Sequence, residues 1–341
     1  MKLDYIKTKI KEFDLDLSGL TVYTELGSKN YKYTCICAAL ANAKKVYAIS
    51  QDSIFGTFED NLRNLNATCY IPSIRSRIEV VDSKKKEHLQ EADIITNSGF
   101  VRPLDRATLS MMKPTAVIPL MYETWEFRDA DIDFNFCKEN DIMVLGVNEE
   151  CAPMDMMRYS GFLVSKLMFE CGLGVHKDKI LIIGSGRIGN NLANFMHING
   201  INFKWISLDN NISKIEDIKN ELADFDAIIV AEHYHNTEII GASGLIHTKD
   251  LNPLVQLIHI CGNVDMDSIK EYGLQIYPNP VMSFGYMTAS ADYLDAKATI
   301  ELNIAGLKVG EIMARNRLKY DFNKAYIETI KYPLVNKFEN D

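Results

Sequence analysis

Short apolar runs rich in β-branched residues alternate with longer amphipathic stretches along the whole chain. This alternation is typical of βαβ units built around a parallel sheet, so the pattern predicts an α/β fold. The apolar runs predict strands over 20–24, 46–49, 68–71, 93–96, 116–120, 143–146, 179–183, 202–208, 227–231 and 257–260. A periodicity near 3.6 residues predicts helices over 31–43, 58–65, 154–170, 190–198, 215–222 and 289–318.

Two long predicted helices suggest how the chain is divided. The helix over 154–170, which ends at the glycines of 172–174, would connect two domains. The helix over 289–318 is too long for a simple crossover and would return the chain to the first domain. We therefore expect an outer domain formed by 1–150 and 290–341, and an inserted domain formed by 151–289.

Composition excludes several classes of partner. The chain has 341 residues, of which 47% are hydrophobic, and a formal net charge of −9, which disfavours nucleic acid as a partner. No apolar run approaches the roughly 18 to 20 residues of a bilayer span, and the first residues, MKLDY, do not resemble a signal peptide. We expect a cytoplasmic protein without a membrane partner.

The seven cysteines are scattered along the chain and form no CxxC pair. This spacing favours reduced thiols over a disulfide framework or a zinc site. The charged run over 83–91 (SKKKEHLQE) is typical of a solvated helix face.

A glycine motif is the strongest chemical signal. Gly184, Gly186 and Gly189 are spaced G-x-G-x-x-G, directly after a predicted strand and at the start of a predicted helix. In such a turn the first glycine permits the bend, the second lets backbone amides approach a pyrophosphate, and the third lets helix and strand pack closely. The helix N-terminus adds partial positive charge for the phosphates. The motif predicts a dinucleotide site that also includes Ser185, Arg187 and Ile188.

Asp209 completes this motif. It stands twenty residues after Gly189, at the end of the next predicted strand. A carboxylate there accepts hydrogen bonds from a ribose 2′-hydroxyl and repels a 2′-phosphate, so NAD is favoured over NADP as the cofactor. The alternative is a glycine-rich turn that binds no ligand.

The sequence GSGRIG, preceded by a long helix, resembles the D-isomer-specific 2-hydroxyacid dehydrogenases, the formate and glycerate dehydrogenase superfamily. Further resemblances follow in order along the chain: a substrate-domain loop at 97–102, a D-x-I-D element at 131–133, the strand leading to the interdomain helix at 142–148, and an H-x-P-x-T-like loop from His233 to Thr237. The resemblance implies two doubly wound α/β domains, a flavodoxin-like outer domain and an inserted Rossmann NAD-binding domain, with cofactor contacts near Thr237, Cys261 and Gly262. It also implies a possible homodimer.

The family resemblance implies hydride transfer between NAD and a 2-hydroxy or 2-keto acid, with an arginine, a glutamate and a histidine as catalytic residues. The sequence departs from this set. Cys261 stands at the arginine position, about fifteen residues separate Asp265 from Pro280 where the glutamate segment would lie, and 280–288 contains no histidine.

Other polar residues at predicted strand ends are candidates for the chemistry. Arg128 would hold an anionic substrate, and Glu123 or Glu126 would act as acid or base if burial raised its pKa. A structural loop with an Arg–Glu pair and a core Trp125 explains the same residues equally well.

Two histidines after the predicted strand 227–231 are the candidates for proton exchange. An imidazole of His233 or His235 would lie near the nicotinamide, with Glu232 beside it, or would merely cap the cofactor pocket. A third metal ligand is not evident, so no metal site is predicted. Tyr286 would donate a proton, with an ordinary turn as the alternative.

The outer-domain segments 24–27 and 96–99, together with Arg102, would contact a substrate or form ordinary strand-end turns. The preferred hypothesis is an NAD-dependent oxidoreductase acting on a small polar, carboxylated substrate. His233 or His235 would handle the proton, and Arg128 or Arg102 the anion. The alternatives are an adenosylhomocysteinase-like enzyme with tightly held NAD and a non-enzymatic NAD(H)-binding sensor.

Overall fold

A computed structural model describes residues 2–154, 156, 158–209 and 218–338. The chain divides into two compact units, Met1–Asp155 with Ala296–Asp341, and Met156–Asp295. Among the described residues, no helix is long and apolar enough to cross a membrane.

The first unit contains a seven-stranded sheet. Its strands in chain order are β1 (Thr21–Glu25), β2 (Lys45–Ile49), β3 (Ile78–Val81), β4 (Ile94–Ile95), β5 (Val117–Pro119), β6 (Met143–Val147) and β15 (Val335–Asn336). Across the sheet the order is β15-β6-β5-β4-β1-β2-β3, and all neighbours are parallel except β15 and β6. The order therefore reverses between β1 and β4, which is the topological switch point of a doubly wound sheet.

Helices surround this sheet, and the β-branched strands are buried between them. The α-helices of the first unit are Lys2–Glu12, Tyr33–Leu40, Phe58–Thr68, Pro72–Arg75, Lys86–Glu91, Arg106–Leu109, Phe134–Glu139, Ala296–Lys319 and Phe322–Thr329. Within the charged run 83–91 the helix Lys86–Glu91 buries His88 and Leu89, so only part of that run is solvated.

The second unit contains two parallel sheets. Their strands are β7 (Ile180–Ile183), β8 (Phe203–Ile206), β9 (Ala227–Ala231), β10 (Glu238–Gly241), β11 (Ile246–His247), β12 (Gln256–Cys261), β13 (Asn263–Val264) and β14 (Gln275–Tyr277). The five-stranded sheet has the order β14-β12-β9-β7-β8, which reverses between β7 and β9, and the three-stranded sheet has the order β11-β10-β13. Its described α-helices include Arg158–Glu170, Gly186–Ile198 and Met266–Glu271.

The predicted α/β class is confirmed, and one predicted strand is wrong. Residues 68–71 form the end of the helix Phe58–Thr68 and the approach to Pro72, which begins the next short helix. A proline is well placed in the first turn of a helix because its missing N–H is unpaired there in any case. The strand of this region is β3, and the polar Glu79 interrupts the apolar run that would have predicted it.

Several helix boundaries also differ from expectation. The helix after the glycine motif begins at Gly186, and the last long helix begins at Ala296. The first three positions of the helix predicted over 215–222 lie outside the described residues, and a 3₁₀ helix, Lys219–Asp224, covers its last four. The short segment after Asp265 contains a helix, Met266–Glu271, and β14.

Candidate functional site

The predicted cofactor residues lie at one edge of the sheet of the second unit. Gly184 follows β7, Asp209 comes shortly after β8, His233 follows β9 and Cys261 ends β12. These strands are parallel, so their carboxyl ends meet at the same edge. Ligands of doubly wound sheets bind at this edge, next to the switch point.

The glycine motif forms a tight strand-to-helix turn. Gly186 has a φ of 57°, in the left-handed region that glycine adopts without strain. A Cβ on Gly189 would overlap the carbonyl oxygen of Gly184, so the third glycine lets the helix pack directly on the turn. The buried Ser185 hydroxyl accepts a hydrogen bond from the Leu208 amide at 2.8 Å and ties the turn to the end of β8.

Asp209 lies beside this turn. Its carboxylate accepts the Gly186 N–H at 3.1 Å and contacts Nε2 of His235 at 3.0 Å. The hydrogen bond from His235 holds the pKa of Asp209 below its usual range. Arg187 and the buried Ile188 form the first turn of the helix that begins here. The structure therefore brings the glycine turn and Asp209 into contact.

Glu232 shapes the loop after β9. Its side chain is fully buried, and its Oε1 accepts the backbone N–H groups of Tyr234 at 2.8 Å and His235 at 3.0 Å. Burial lowers the pKa of His233 to about 4, although the charge of Glu232 opposes this shift. The Tyr234 ring packs on Gly186, in the space that a side chain at that glycine would fill.

A buried histidine organises the end of β12. The His259 ring accepts the Thr288 hydroxyl through Nδ1 at 2.7 Å and donates from Nε2 to the Gly262 carbonyl at 3.2 Å. Thr288 in turn accepts the Met282 N–H at 2.8 Å and donates its own N–H to the Ile260 carbonyl at 2.8 Å. Burial lowers the pKa of His259 to about 4, so the ring is neutral near pH 7.

The remaining predicted residues of the second unit lie around this edge. The carbonyl of the buried Cys261 accepts the Glu232 N–H at 3.1 Å, and Gly262 follows it with a φ of 132°. Thr237 precedes β10. Tyr286 lies in an exposed turn closed by its N–H donating to the Ser283 carbonyl at 3.1 Å.

Arg128 and Glu126 belong to the first unit, where two arginines share one carboxylate. Arg128 donates to Asp131 Oδ2 from Nε at 3.0 Å and from Nη2 at 2.9 Å. Arg102 reaches the same oxygen from Nη1 at 3.4 Å. Both guanidinium groups lie 5.7 Å from the ring centre of Tyr122. Asp131 therefore neutralises Arg128 more completely than Arg102.

Arg102 and Asn97 carry buried atoms without partners. Arg102 donates from Nη2 to the Asn97 carbonyl at 3.1 Å, and Asn97 Nδ2 contacts the Tyr122 hydroxyl at 2.5 Å. Within the described part of the chain, neither the Nε–H of Arg102 nor the Oδ1 of Asn97 has a hydrogen-bond partner. Buried polar groups are normally satisfied, so these two atoms mark a place where a polar ligand would complete the network.

The loop after β5 carries two glutamates, Glu123 with a structural role and Glu126 with a raised pKa. Glu123 is fully buried, accepting the Trp125 indole N–H at 2.6 Å and the Glu149 amide at 3.1 Å. Burial raises the pKa of Glu126 to about 7, against the opposing charge of Arg128. Glu126 is half-buried and lies close to charged neighbours.

His259 and Tyr122 were not predicted as site residues. The signals that were available are a histidine inside the otherwise apolar β12, and an acid at or just after the end of a strand, namely Glu25 in β1 and Glu232 after β9. A polar residue at such a position must be satisfied inside the protein or by a ligand.

The chain matches no protein-family model, and no curated protein matches it. Among solved structures, a dipicolinate synthase component from Bacillus halodurans superposes with a TM-score of 0.53 at 12% identity, covering 89% of this chain and 99% of the other. The chain shares the fold of that protein. The corresponding dipicolinate synthase component from Bacillus subtilis gives a TM-score of 0.49 at 12% identity, covering 90% and 98%.

A D-isomer-specific 2-hydroxyacid dehydrogenase from Lactobacillus delbrueckii ssp. bulgaricus, in its NAD-complexed form, gives a TM-score of 0.47 at 12% identity, covering 88% of this chain and 96% of the other.

Proposed function

We propose that this protein is an NAD(H)-dependent oxidoreductase acting on a small carboxylated molecule. The observation that carries the proposal is the turn at Gly186, where a glycine amide at a helix N-terminus and the Asp209 carboxylate lie side by side. This combination suits a dinucleotide, because a helix N-terminus favours a phosphate and a carboxylate beside it would accept hydrogen bonds from ribose hydroxyls. Bound NAD would supply or accept the hydride.

Asp209 and His235 are assigned to cofactor selection. The contact between His235 and Asp209 supports a role in holding the carboxylate that meets the ribose, rather than in proton exchange. His233 is a weak candidate for proton exchange, because a group works best in that role when its pKa lies near the working pH and burial lowers this one to about 4. Tyr234 would have to leave the face of Gly186 when phosphates approach.

Arg102 is assigned to the carboxylate of the substrate. Arg128 is held by two contacts to Asp131, whereas Arg102 makes one longer contact to it. The buried Nε–H of Arg102 lacks an acceptor among the described residues, and a substrate carboxylate would supply one. This assignment replaces the family arginine, whose position Cys261 occupies.

Cofactor binding can be tested through Trp205, whose indole donates to the Gly184 carbonyl at 2.9 Å. Quenching of its fluorescence by NADH, with Trp125 replaced by phenylalanine, would report binding at the turn. Asp209→Asn should weaken NADH binding and reduce the preference for NADH over NADPH. Asp224→Asn removes an exposed carboxylate of the same unit and should change neither.

Turnover is then measured as NADH oxidation with glyoxylate, pyruvate, hydroxypyruvate and 2-oxoglutarate. Turnover that Arg102→Gln lowers mainly through a raised KM would support the proposal. NADH binding without turnover of any acid would favour the NAD(H)-binding sensor instead. Absence of NADH and NADPH binding would refute the proposal altogether.

A further inference from the structure

A buried carboxyl group lies at the switch point of the first unit. Glu25 is the last residue of β1, and the segment 96–98 directly follows the neighbouring strand β4. The strand order reverses between β1 and β4, so the crevice where ligands bind in such sheets opens between these two strand ends. Glu25 is nevertheless only 4% exposed.

The backbone around Glu25 is built to admit its carboxyl group. Gly99 has a φ of 31°, and a Cβ there would overlap Oε2 of Glu25, so the carboxyl occupies the space of the missing side chain. The Phe100 backbone N–H and the Ser98 hydroxyl form hydrogen bonds to it.

A row of hydroxyl groups continues from this carboxyl. The Ser98 hydroxyl lies 2.8 Å from that of Thr96, and the Thr96 hydroxyl donates to that of Thr24 at 2.8 Å. Thr24 and Thr96 are fully buried, and Ser98 is 6% exposed. Hydroxyl groups both donate and accept, so a proton that leaves Ser98 can be replaced from Glu25 without a large movement.

The charges around Glu25 leave its proton easy to exchange. Burial raises the pKa of Glu25 to about 7, although the positive charge of Arg102 opposes the shift. The other titratable neighbour is the thiol of Cys35, whose pKa burial raises far above neutrality, so it stays uncharged. A group that is half protonated near pH 7 suits general acid–base work.

We propose that Glu25, acting through the Ser98 hydroxyl, supplies and recovers the proton of the reaction. The inference rests on the proposed function. Reduction of a keto acid adds a hydride to the keto carbon and a proton to its oxygen, and the C=O bond becomes a C–O single bond. Bound NADH would supply the hydride, and Ser98 would supply the proton. Ser98 then takes the Glu25 proton, which leaves a carboxylate that solvent reprotonates. The oxidation of a hydroxy acid by NAD reverses each step.

The test is the pH profile of kcat for NADH-dependent reduction of the acid that turns over. In the wild type, kcat should fall as pH rises through about 7, because the donor loses its proton. Glu25→Gln and Ser98→Ala should each lower kcat at pH 7 by a factor of about 10² to 10⁴. Each should also abolish the fall in kcat as pH rises through about 7. NADH affinity should stay unchanged.

Matched controls are Glu91→Gln, which removes an exposed carboxylate of the same unit, and Thr34→Val, which removes a buried hydroxyl outside the row. Both should keep the wild-type profile. An unchanged profile in Glu25→Gln would overturn the inference and leave the oxidoreductase proposal standing. Absence of NADH binding and turnover in the wild type would remove both.

If Glu25→Gln does not fold, two other measurements decide the question. One is the pH profile of kcat for Ser98→Ala, and the other is the pH titration of the carboxyl carbon NMR signals of wild-type protein labelled in its glutamates. A carboxyl that titrates near pH 7 both in the wild type and in Glu126→Gln, together with loss of the fall in kcat above pH 7 in Ser98→Ala, would support the inference. Either a Ser98→Ala profile like that of the wild type or the lack of such a carboxyl would refute it.

Discussion

Thr288→Val should destabilise the second unit through the ring of His259. The Thr288 hydroxyl donates to Nδ1 of His259 and accepts the Met282 N–H. Valine has nearly the same shape but no hydroxyl. The His259 ring is fully buried, so water cannot replace the lost donor, whereas Met282 is 40% exposed and its amide can bind water. An unsatisfied buried group costs about 1 to 3 kcal/mol, and we expect a loss of that size.

The assay uses urea unfolding of the full chain. The chain has two tryptophans, Trp125 in the first unit and Trp205 in the second, so a Trp125→Phe background leaves a reporter for the second unit alone. Thr288→Ser is the matched control, because it keeps the hydroxyl and loses a methyl group worth about 0.8 kcal/mol at most. If the valine and serine variants unfold at the same urea concentration, the hydrogen-bond argument is wrong.

Two further predictions concern the second unit. The His259 pKa is lowered by burial from 6.5 to about 4, so its contribution to stability is complete above pH 6.5 and is lost as pH falls toward 4. His259 should contribute about 1.4 kcal/mol per pH unit to the slope, and His259→Gln should lower the slope by that amount in urea unfolding at several pH values, while the contribution of His233 remains. Ser185→Ala removes the acceptor of the buried Leu208 amide and should cost about 1 to 3 kcal/mol. In the same assay Ser207→Ala, at a more exposed site, should cost less than about 0.5 kcal/mol; equal losses for the two serine variants would refute this reasoning.

The features that sequence analysis located well are local ones. The turn at Gly186 depends on spacing within six residues, and strands such as β7 and β9 are continuous apolar runs. The false strand over 68–71 shows the limit of the same method, because a short apolar run has no periodicity that separates strand from helix end. The strands of the three-stranded sheet are two to four residues long and give no periodic signal.

The features that sequence analysis missed depend on contacts between distant residues. His235 meets Asp209 across 26 positions, and no spacing rule connects the two. The sequence indicated that the segment 24–27 would contact a substrate or form an ordinary strand-end turn, but it did not show that the backbone of Gly99 and Phe100 encloses the Glu25 carboxyl. Burial determines the pKa of such a group, and burial is a property of the fold rather than of the adjacent sequence.

The two sheets support a division of chemical roles. Each reverses its strand order, between β1 and β4 in one unit and between β7 and β9 in the other. The second unit places a glycine turn and an acid at its switch point, which suits phosphate and ribose. The first places an ionisable carboxyl and a row of hydroxyls at the equivalent point, which suits proton exchange. The proposed roles of Arg102 and Glu25 assign the anion site and the proton to the first unit. Asp209→Asn should then change the affinity and selectivity for the cofactor but not the pH profile, and Glu25→Gln should change kcat and its pH profile but not the affinity for the cofactor.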